Sequence, residues 1–315
     1  MPMTAPSTSS SSGLGPLDVG LYTATVLIFG SGWLPLRLQL GVVAPEVSGV
    51  WRFLIAGLVM FAWVALRGGR LSFPLKDHVL FAALGLTLFS ANFITFYYAG
   101  FYLASGLLSV LFSLAAVFIP LIGGILTGVA PNRRILIGAV LGVFGVALVF
   151  GPSVLEKHVS TSLPFALGLA LVGTLSFSFG SFVIAAVGRR GLPQGSVNAY
   201  GMFYGVVFCA ALALLTGADF KLEWTARYIG SLAYLIVVPT LLGFGVYMTL
   251  IRRIGPSRAG YGTVMFPIIA LALSTIFEGY HWTVFAAFGV ALVLIGNVVV
   301  LRAPRSGFTP PRPPR

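Results

Sequence analysis

Residues 45–70, "PEVSGVWRFLIAGLVMFAWVALRGGR", carry a single arginine, Arg52, near the start of an apolar run, and fourteen uncharged residues separate it from Arg67. A helix rises about 1.5 Å per residue, so roughly 20 apolar residues match the hydrocarbon core of a bilayer. An ionisable side chain inside such a run is costly. The stretch therefore asks what solvent this chain folds in, and what holds Arg52.

The rest of the sequence answers the first question. Of its 315 residues 58% are hydrophobic and 8% charged, and the mean hydropathy is +1.00; soluble domains carry about 25% charged residues. Apolar segments of span length follow one another almost to the end. An outer-membrane barrel would need strands of about 10 residues with alternating polarity, and no such alternation occurs. The fold class is an all-α polytopic membrane protein. The net charge of +12 does not point to nucleic acid, because the basic residues sit in short loops and form no stripe on any one element. Cys209 is the lone cysteine and cannot form an intramolecular disulfide. Residues 1–17 lack the basic start and apolar centre of a signal peptide and read as a disordered tail, as does the Pro/Arg-rich stretch 303–315. Missing N-x-S/T sequons, compact size and short loops favour a bacterial inner membrane.

Spans are expected at 18–36, 46–66, 78–99, 104–127, 135–151, 163–187, 196–216, 228–250, 259–278 and 282–301. No Asp, Glu, Lys or Arg occurs in residues 78–130, too long a run for one span, and "AGFYLASG" (99–106) supplies the turn. With ten spans and both termini in the cytoplasm, 14 of the 19 basic residues fall on inner loops or the C-terminal tail, leaving Arg37, Arg52, Lys157, Lys221 and Arg227. Five of the seven acids, Glu46, Glu156, Asp219, Glu223 and Glu278, fall outside. That asymmetry is an orientation signal, and a miscounted span would scramble it.

The halves echo each other. "FGS" occurs at 29–31 and at 179–181; Gly138 and Gly145 stand seven apart in span five, as Gly289 and Gly296 do in span ten; "SGLLSVLF" (105–112) aligns with "AGYGTVMF" (259–266). Offsets of 150, 151 and 154 in the right order indicate two repeats, 18–151 and 163–302, joined by an outer linker at 152–162. Five spans per half require the second to be inverted, which is the 5+5 arrangement that places a shared site near the midplane.

Ten spans in this arrangement, with "FGSGW" (29–33), "WRF" (51–53), "SGLLSVLFSL" (105–114) and the glycine pairs of spans five and ten, resemble the EamA-type branch of the drug/metabolite transporter superfamily. The resemblance covers residues 18–302. It implies a secondary carrier, in many members an exporter of amino acids or other small metabolites, and names no substrate. The same branch has an arginine at the position of Arg52.

Arg52 has two readings. It lies six residues past Glu46, about 9 Å along a helix, so it can snorkel to the outer interface or pair with an acidic loop residue. Alternatively it faces the central cavity and takes a substrate carboxylate through parallel hydrogen bonds. Ser109, Phe112 and Ser113 share one face of span four, and Ser178 lies on a hydroxyl stripe with Thr174 and Ser181 in span six. Each stripe fits interhelical packing as well as a cavity wall. Asn92 is a cavity hydrogen-bonding group or a helix–helix clasp. Trp33, Phe96 and Tyr261 are the aromatic wall candidates, because each shares a helix with another candidate. Gly30, Pro120, Pro239 and Pro267 are candidate hinges, since proline frees a carbonyl and kinks a helix.

Several classes are disfavoured. No span interior is expected to hold Asp or Glu, so proton or sodium coupling would need a less usual group. The three histidines lie at span ends or in loops, so neither a metal site nor a nucleophile–base pair is expected. No cofactor or catalytic residue is assigned, and the chain is read as not an enzyme. The expected partners are a small-molecule substrate and the lipid bilayer, with no nucleic acid. Homo-oligomerisation stays open, since two halves in one chain need no second copy to make a pathway. The function expected is alternating-access transport of small organic solutes, export favoured. The rivals are an importer or anion exchanger of the same fold, and a non-transporting membrane scaffold subunit.

Overall fold

Pro45 at the first helical position and Gly68 in the left-handed region just past the end bracket the arginine-bearing stretch as one helix, Pro45–Leu66. The same punctuation recurs along the chain. Thr225 and Thr283 each accept a hydrogen bond from the backbone N–H three residues on, and Gly128 and Gly217 close helices with positive φ. The computed structural model describes residues 15–128, 130–155, 162–254 and 262–302, and among them every regular element is helical.

The helices are α1 (Pro16–Ser31), α2 (Trp33–Leu38), α3 (Pro45–Leu66), α4 (Leu75–Leu86), α5 (Asn92–Gly100), α6 (Ser105–Ser113), α7 (Ala115–Thr127), α8 (Arg133–Leu155), α9 (Ser162–Arg189), α10 (Gln194–Thr216), α11 (Ala226–Leu235), α12 (Gly243–Ile254), α13 (Gly262–Phe277) and α14 (Val284–Leu301). Several join into one rod. A five-residue π turn, Thr87–Ala91, links α4 to α5, and a seven-residue one, Ile236–Leu242, links α11 to α12. The first rod breaks at Gly32 between α1 and α2. The α6–α7 rod breaks at Leu114, where the N–H groups of Leu114 and Val117 close three-residue bonds.

Among the described residues eight helical rods are long and apolar enough to cross a membrane, and Val264–Phe277 and Val284–Val300 are shorter apolar stretches within α13 and α14. Ten spans are expected from the sequence; α13 and α14 stand where the ninth and tenth are expected, and residues 259–261 of the expected ninth lie outside the described residues. Large apolar side chains such as Leu58, Trp63, Val143, Phe144 and Phe288 are exposed on the outer faces of the helices. Patches of that kind suit lipid rather than water.

Two packing centres organise the bundle. One gathers Phe53, Phe81, Leu84, Phe89, Met202 and Tyr228 from α3, α4, the first π turn, α10 and α11. The other gathers Phe96, Leu108, Leu111, Val149, Ala166, Leu271 and Val293 from α5, α6, α8, α9, α13 and α14. The tightest seam is α8 on α14. A Cβ on Gly145 would stand 2.6 Å from the Gly289 carbonyl oxygen, and one on Gly138 would stand 2.6 Å from that of Gly296. Residue numbers rise along one helix as they fall along the other, so the two run antiparallel, with backbones too close for any side chain at these positions.

Candidate functional site

Pro239 cannot donate a backbone hydrogen bond, so the Leu235 carbonyl loses its usual helical partner. The Thr240 hydroxyl takes it instead, at 2.7 Å, inside the second π turn. That fixes the Thr240 oxygen as an acceptor facing α3. Arg52, 3% exposed, fills it: Nε donates at 3.3 Å and Nη2 at 3.1 Å. The guanidinium carbon also lies 4.3 Å from the centre of the Phe93 ring and 5.1 Å from that of Phe53, contacts that favour a cation. Arg52 therefore points inward. It neither snorkels nor pairs with Glu46, whose carboxylate accepts from Tyr98 and Thr216, both at 2.8 Å.

Beside the guanidinium stands Tyr97, buried, whose hydroxyl donates to Oε1 of Gln39. Gln39 follows the last turn of α2 and is 1% exposed. The cluster leaves two donors without a partner, Arg52 Nη1 and Gln39 Nε2. Orphan buried polar groups are rare enough to require an account. None of Gln39, Tyr97, Phe93 and Thr240 is singled out by sequence. The available signals were a glutamine closing an apolar run and a hydroxyl next to an intramembrane proline.

The aromatic candidates do converge. Trp33 packs edge-on against Phe96 with ring centres 5.0 Å apart, and Phe112 lies 5.3 Å from Trp33 and 5.9 Å from Phe96. Phe177 of α9 extends the cluster at 4.7 Å from Phe112. The α5 helix joins both groups, because Phe96 faces Trp33 while Tyr97 faces Gln39.

The polar candidates are used between or within helices. Asn92 Nδ2 donates to the Gly173 carbonyl at 2.8 Å, tying α5 to α9. Ser113 donates to Val110 of its own helix at 2.7 Å and accepts from Asn297 of α14 at 3.0 Å. Ser178 donates to the Thr174 carbonyl at 2.7 Å. Ser109 is fully buried and its hydroxyl has no partner. Tyr261 lies outside the described residues. Among the hinge candidates, Pro239 sits in the second π turn, Pro120 inside α7 and Pro267 inside α13. Gly30 sits at a close approach, where a Cβ would stand 2.7 Å from Ile269 of α13.

Carboxylates are buried at helix ends, where none is expected within a span. Glu46 is 1% exposed in the first turn of α3 and Asp77 5% exposed in that of α4. Asp77 pairs with Arg190 at 2.5 Å. Glu278, just past α13, accepts from Arg37 at 2.9 Å, from the Ser105 N–H at 3.0 Å and hydroxyl at 2.7 Å, and from Ser274 at 2.6 Å. Burial raises the Glu278 pKa, but the hydrogen bonds from Ser274, Ser105 and Arg37 outweigh it and hold the carboxyl below its ordinary range. No cluster of metal-ligating side chains is present among the described residues. An apolar groove of about 450 Å³ on α13 and α14, lined by Leu271, Thr275, Trp282 and Leu294, holds none of the candidate residues.

Membrane-length apolar helices, backbones broken at mid-rod and, among the described residues, a buried inward-facing arginine describe a polytopic helical membrane protein. The chain belongs to the EamA-like transporter family, whose model matches residues 19–151 and again 164–302. Among its relatives are the inner membrane transporter YedA of Escherichia coli (strain K12), 26% identical over 88% of this chain and 90% of that one, and a probable amino-acid metabolite efflux pump of Salmonella typhimurium (strain LT2), 24% identical over 92% of this chain and 97% of that one. A solved crystal structure superposes with a TM-score of 0.63 at 16% identity, covering 90% of this chain and 95% of the other. It extends the likeness of fold to the whole bundle.

Proposed function

We propose that this protein is a secondary carrier of the bacterial inner membrane that exports small organic solutes, amino acids or related metabolites, by alternating access. One observation carries the reading within a transporter family: Arg52 is buried at the meeting of α3, α5 and the second π turn, and no carboxylate faces it among the described residues. A buried cation without a counter-ion is expensive unless a ligand supplies one. The solute's acidic group is that counter-ion. The direction follows the efflux pumps among the relatives, including one of Escherichia coli (strain K12) at 25% identity.

Alternating access needs two halves that rock about a shared site, and several observations support ten spans as an inverted 5+5 repeat. The two π turns begin at residues 87 and 236, an offset of 149 close to those of the sequence echoes. The α8–α14 seam is antiparallel and its two glycine pairs contact each other reciprocally, as a two-fold axis between inverted halves requires. Each ion pair, Arg37–Glu278, Arg190–Asp77, Lys221–Asp219 and Arg253–Asp18, joins two residues that the span count assigns to one side. In this reading Trp33, Phe96, Phe112, Ser109 and Ser178 border the path, and the π turns with Pro239 flex.

The test is uptake, efflux and counterflow in proteoliposomes against a panel of amino acids and organic acids. Saturable counterflow of at least one solute is expected. Arg52→Ala and Arg52→Lys should each reduce it without reducing membrane insertion. Full activity in both variants would remove Arg52 from the mechanism, and absence of flux for the whole panel would refute the carrier reading.

A further inference from the structure

We infer that the buried edge shared by Arg52, Gln39 and Tyr97 is a seat for one carboxylate group, and that the substrate class is solutes bearing a single carboxylate. This rests on the carrier reading above and adds to it a second ligand residue, Gln39, and a rule of charge.

The seat follows from which donors are spent. Arg52 commits Nε and Nη2 to Thr240 and leaves Nη1 unpaired; Gln39 commits its oxygen to Tyr97 and leaves Nε2 unpaired. Both side chains are more than nine-tenths buried, and Tyr97 touches both. Two unpaired donors on one cluster, where the Tyr97 hydroxyl has already given its proton to Gln39, suit a ligand that offers acceptors. A carboxylate does so with two oxygens, one for each donor, whereas an ammonium brings only donors and a second positive charge, and an amide or alcohol leaves the guanidinium charge uncompensated. Charge assistance from the guanidinium strengthens the pairing.

The number of charges follows from the neighbours. Among the described residues the buried and half-buried carboxylates around the bundle's interior are already engaged: Glu46 by Tyr98 and Thr216, Asp77 by Arg190, Glu278 by Arg37, Ser105 and Ser274. The cluster thus holds one uncompensated positive charge. One carboxylate neutralises it, and a second would place an unpaired anion in a site walled by Phe53 and Phe93. Seating also has a mechanical consequence. Gln39 closes α2 beyond the Gly32 break and Arg52 lies in α3, so a bound carboxylate ties the end of the first rod to α3.

The experiment uses the purified full-length protein in detergent. Its melting temperature is measured with the twenty L-amino acids, straight-chain monocarboxylates, their amides and the matching dicarboxylates. Monocarboxylates should stabilise it, while amides and dicarboxylates of the same length should not. Gln39→Glu keeps the acceptor for Tyr97 and the side-chain volume but reverses the electrostatics, and it should lower apparent affinity for the best monocarboxylate by roughly tenfold or more; Gln39→Leu should lower it too. Monodispersity on size exclusion verifies folding of both. Equal stabilisation by acid and amide, equal stabilisation by mono- and dicarboxylate, wild-type affinity in both Gln39 variants, or no stabilisation by any monocarboxylate would each overturn the seat. Counterflow in proteoliposomes separates the two proposals. Transport without carboxylate preference refutes the seat and leaves the carrier, whereas carboxylate binding with no flux refutes the carrier and leaves the seat.

Discussion

Thr240→Val removes one oxygen and almost nothing else, because valine is close to threonine in shape. That oxygen is the acceptor for both Arg52 nitrogens and the donor to the Leu235 carbonyl that Pro239 cannot serve. The two guanidinium bonds share a single acceptor, so they count as one charge-assisted hydrogen bond, worth about 2 kcal/mol, and the carbonyl bond adds about 1 kcal/mol. Thr240→Val should therefore cost about 3 kcal/mol. Thr240→Ser, which keeps the hydroxyl, should cost less than about 1 kcal/mol for its lost methyl. In an Arg52→Met background only the carbonyl bond remains to be lost, so the same Thr240→Val change should cost about 1 kcal/mol, giving a coupling near 2 kcal/mol. Hydrogen bonds between neutral groups in membrane bundles average about 0.6 kcal/mol, so a coupling of that size identifies the charge as its source. The assay is reversible unfolding in mixed micelles, titrated with a denaturing detergent, for all members of the cycle. Equal costs of Thr240→Val in the two backgrounds would refute the reasoning, since they would show that Arg52 is not held by Thr240.

Gly145→Ala places a Cβ 2.6 Å from the Gly289 carbonyl oxygen and 2.9 Å from the Val293 nitrogen. Backbone must move, at a cost of about 1–3 kcal/mol in the same unfolding assay, while Gly168→Ala, with nothing within 4 Å, should be neutral or mildly stabilising. Glu278 has its pKa held below the ordinary carboxylate range, so its contribution to stability is complete above that range and is lost as pH falls through the depressed value. A melting profile taken down through that acidic window should fall more for the wild type than for Glu278→Gln, and parallel profiles would count against the four-donor arrangement. Asn92→Leu removes the α5–α9 hydrogen bond to the Gly173 carbonyl and should cost about 1 kcal/mol; measuring KM for a transported solute alongside tells whether Asn92 also touches the solute, because a clasp alone leaves KM unchanged.

What the sequence makes legible follows from what a bilayer enforces locally. Backbone groups in lipid must be satisfied within the segment, so helices, their approximate ends and their number of long apolar runs are readable from hydropathy and from Gly and Pro. The glycines at 138, 145, 289 and 296 are readable for the same reason, since a seven-residue spacing keeps one face of a helix bare. Arg52 is visible because a charge in an apolar run is costly, although the sequence alone leaves it open between snorkelling to the interface and facing inward. Its partners are not visible, because periodicity says which residues share a face and never which two helices touch. Gln39 looks like a solvated helix end, and only the break at Gly32 and the packing of α2 beside α5 turn it inward. Glu46 likewise looks like an interfacial acid until Tyr98 and Thr216 close over it.

Two residues that break local rules depend on each other across the fold. Proline inside a helix strands a carbonyl, and arginine inside a bilayer strands a charge; either alone would be destabilising. Here the stranded Leu235 carbonyl recruits the Thr240 hydroxyl as donor, which leaves that oxygen free to accept, and Arg52 is the group that uses it, 188 residues away in sequence. The arrangement satisfies the proline completely and the arginine only in part, since Nη1 stays unpaired. A purely structural role would have favoured removing that remainder, for instance by a carboxylate on a facing helix. An arginine held on one edge and open on the other is what the proposed carboxylate seat requires, and Thr240 sets that seat one hydrogen bond from the second π turn, Ile236–Leu242.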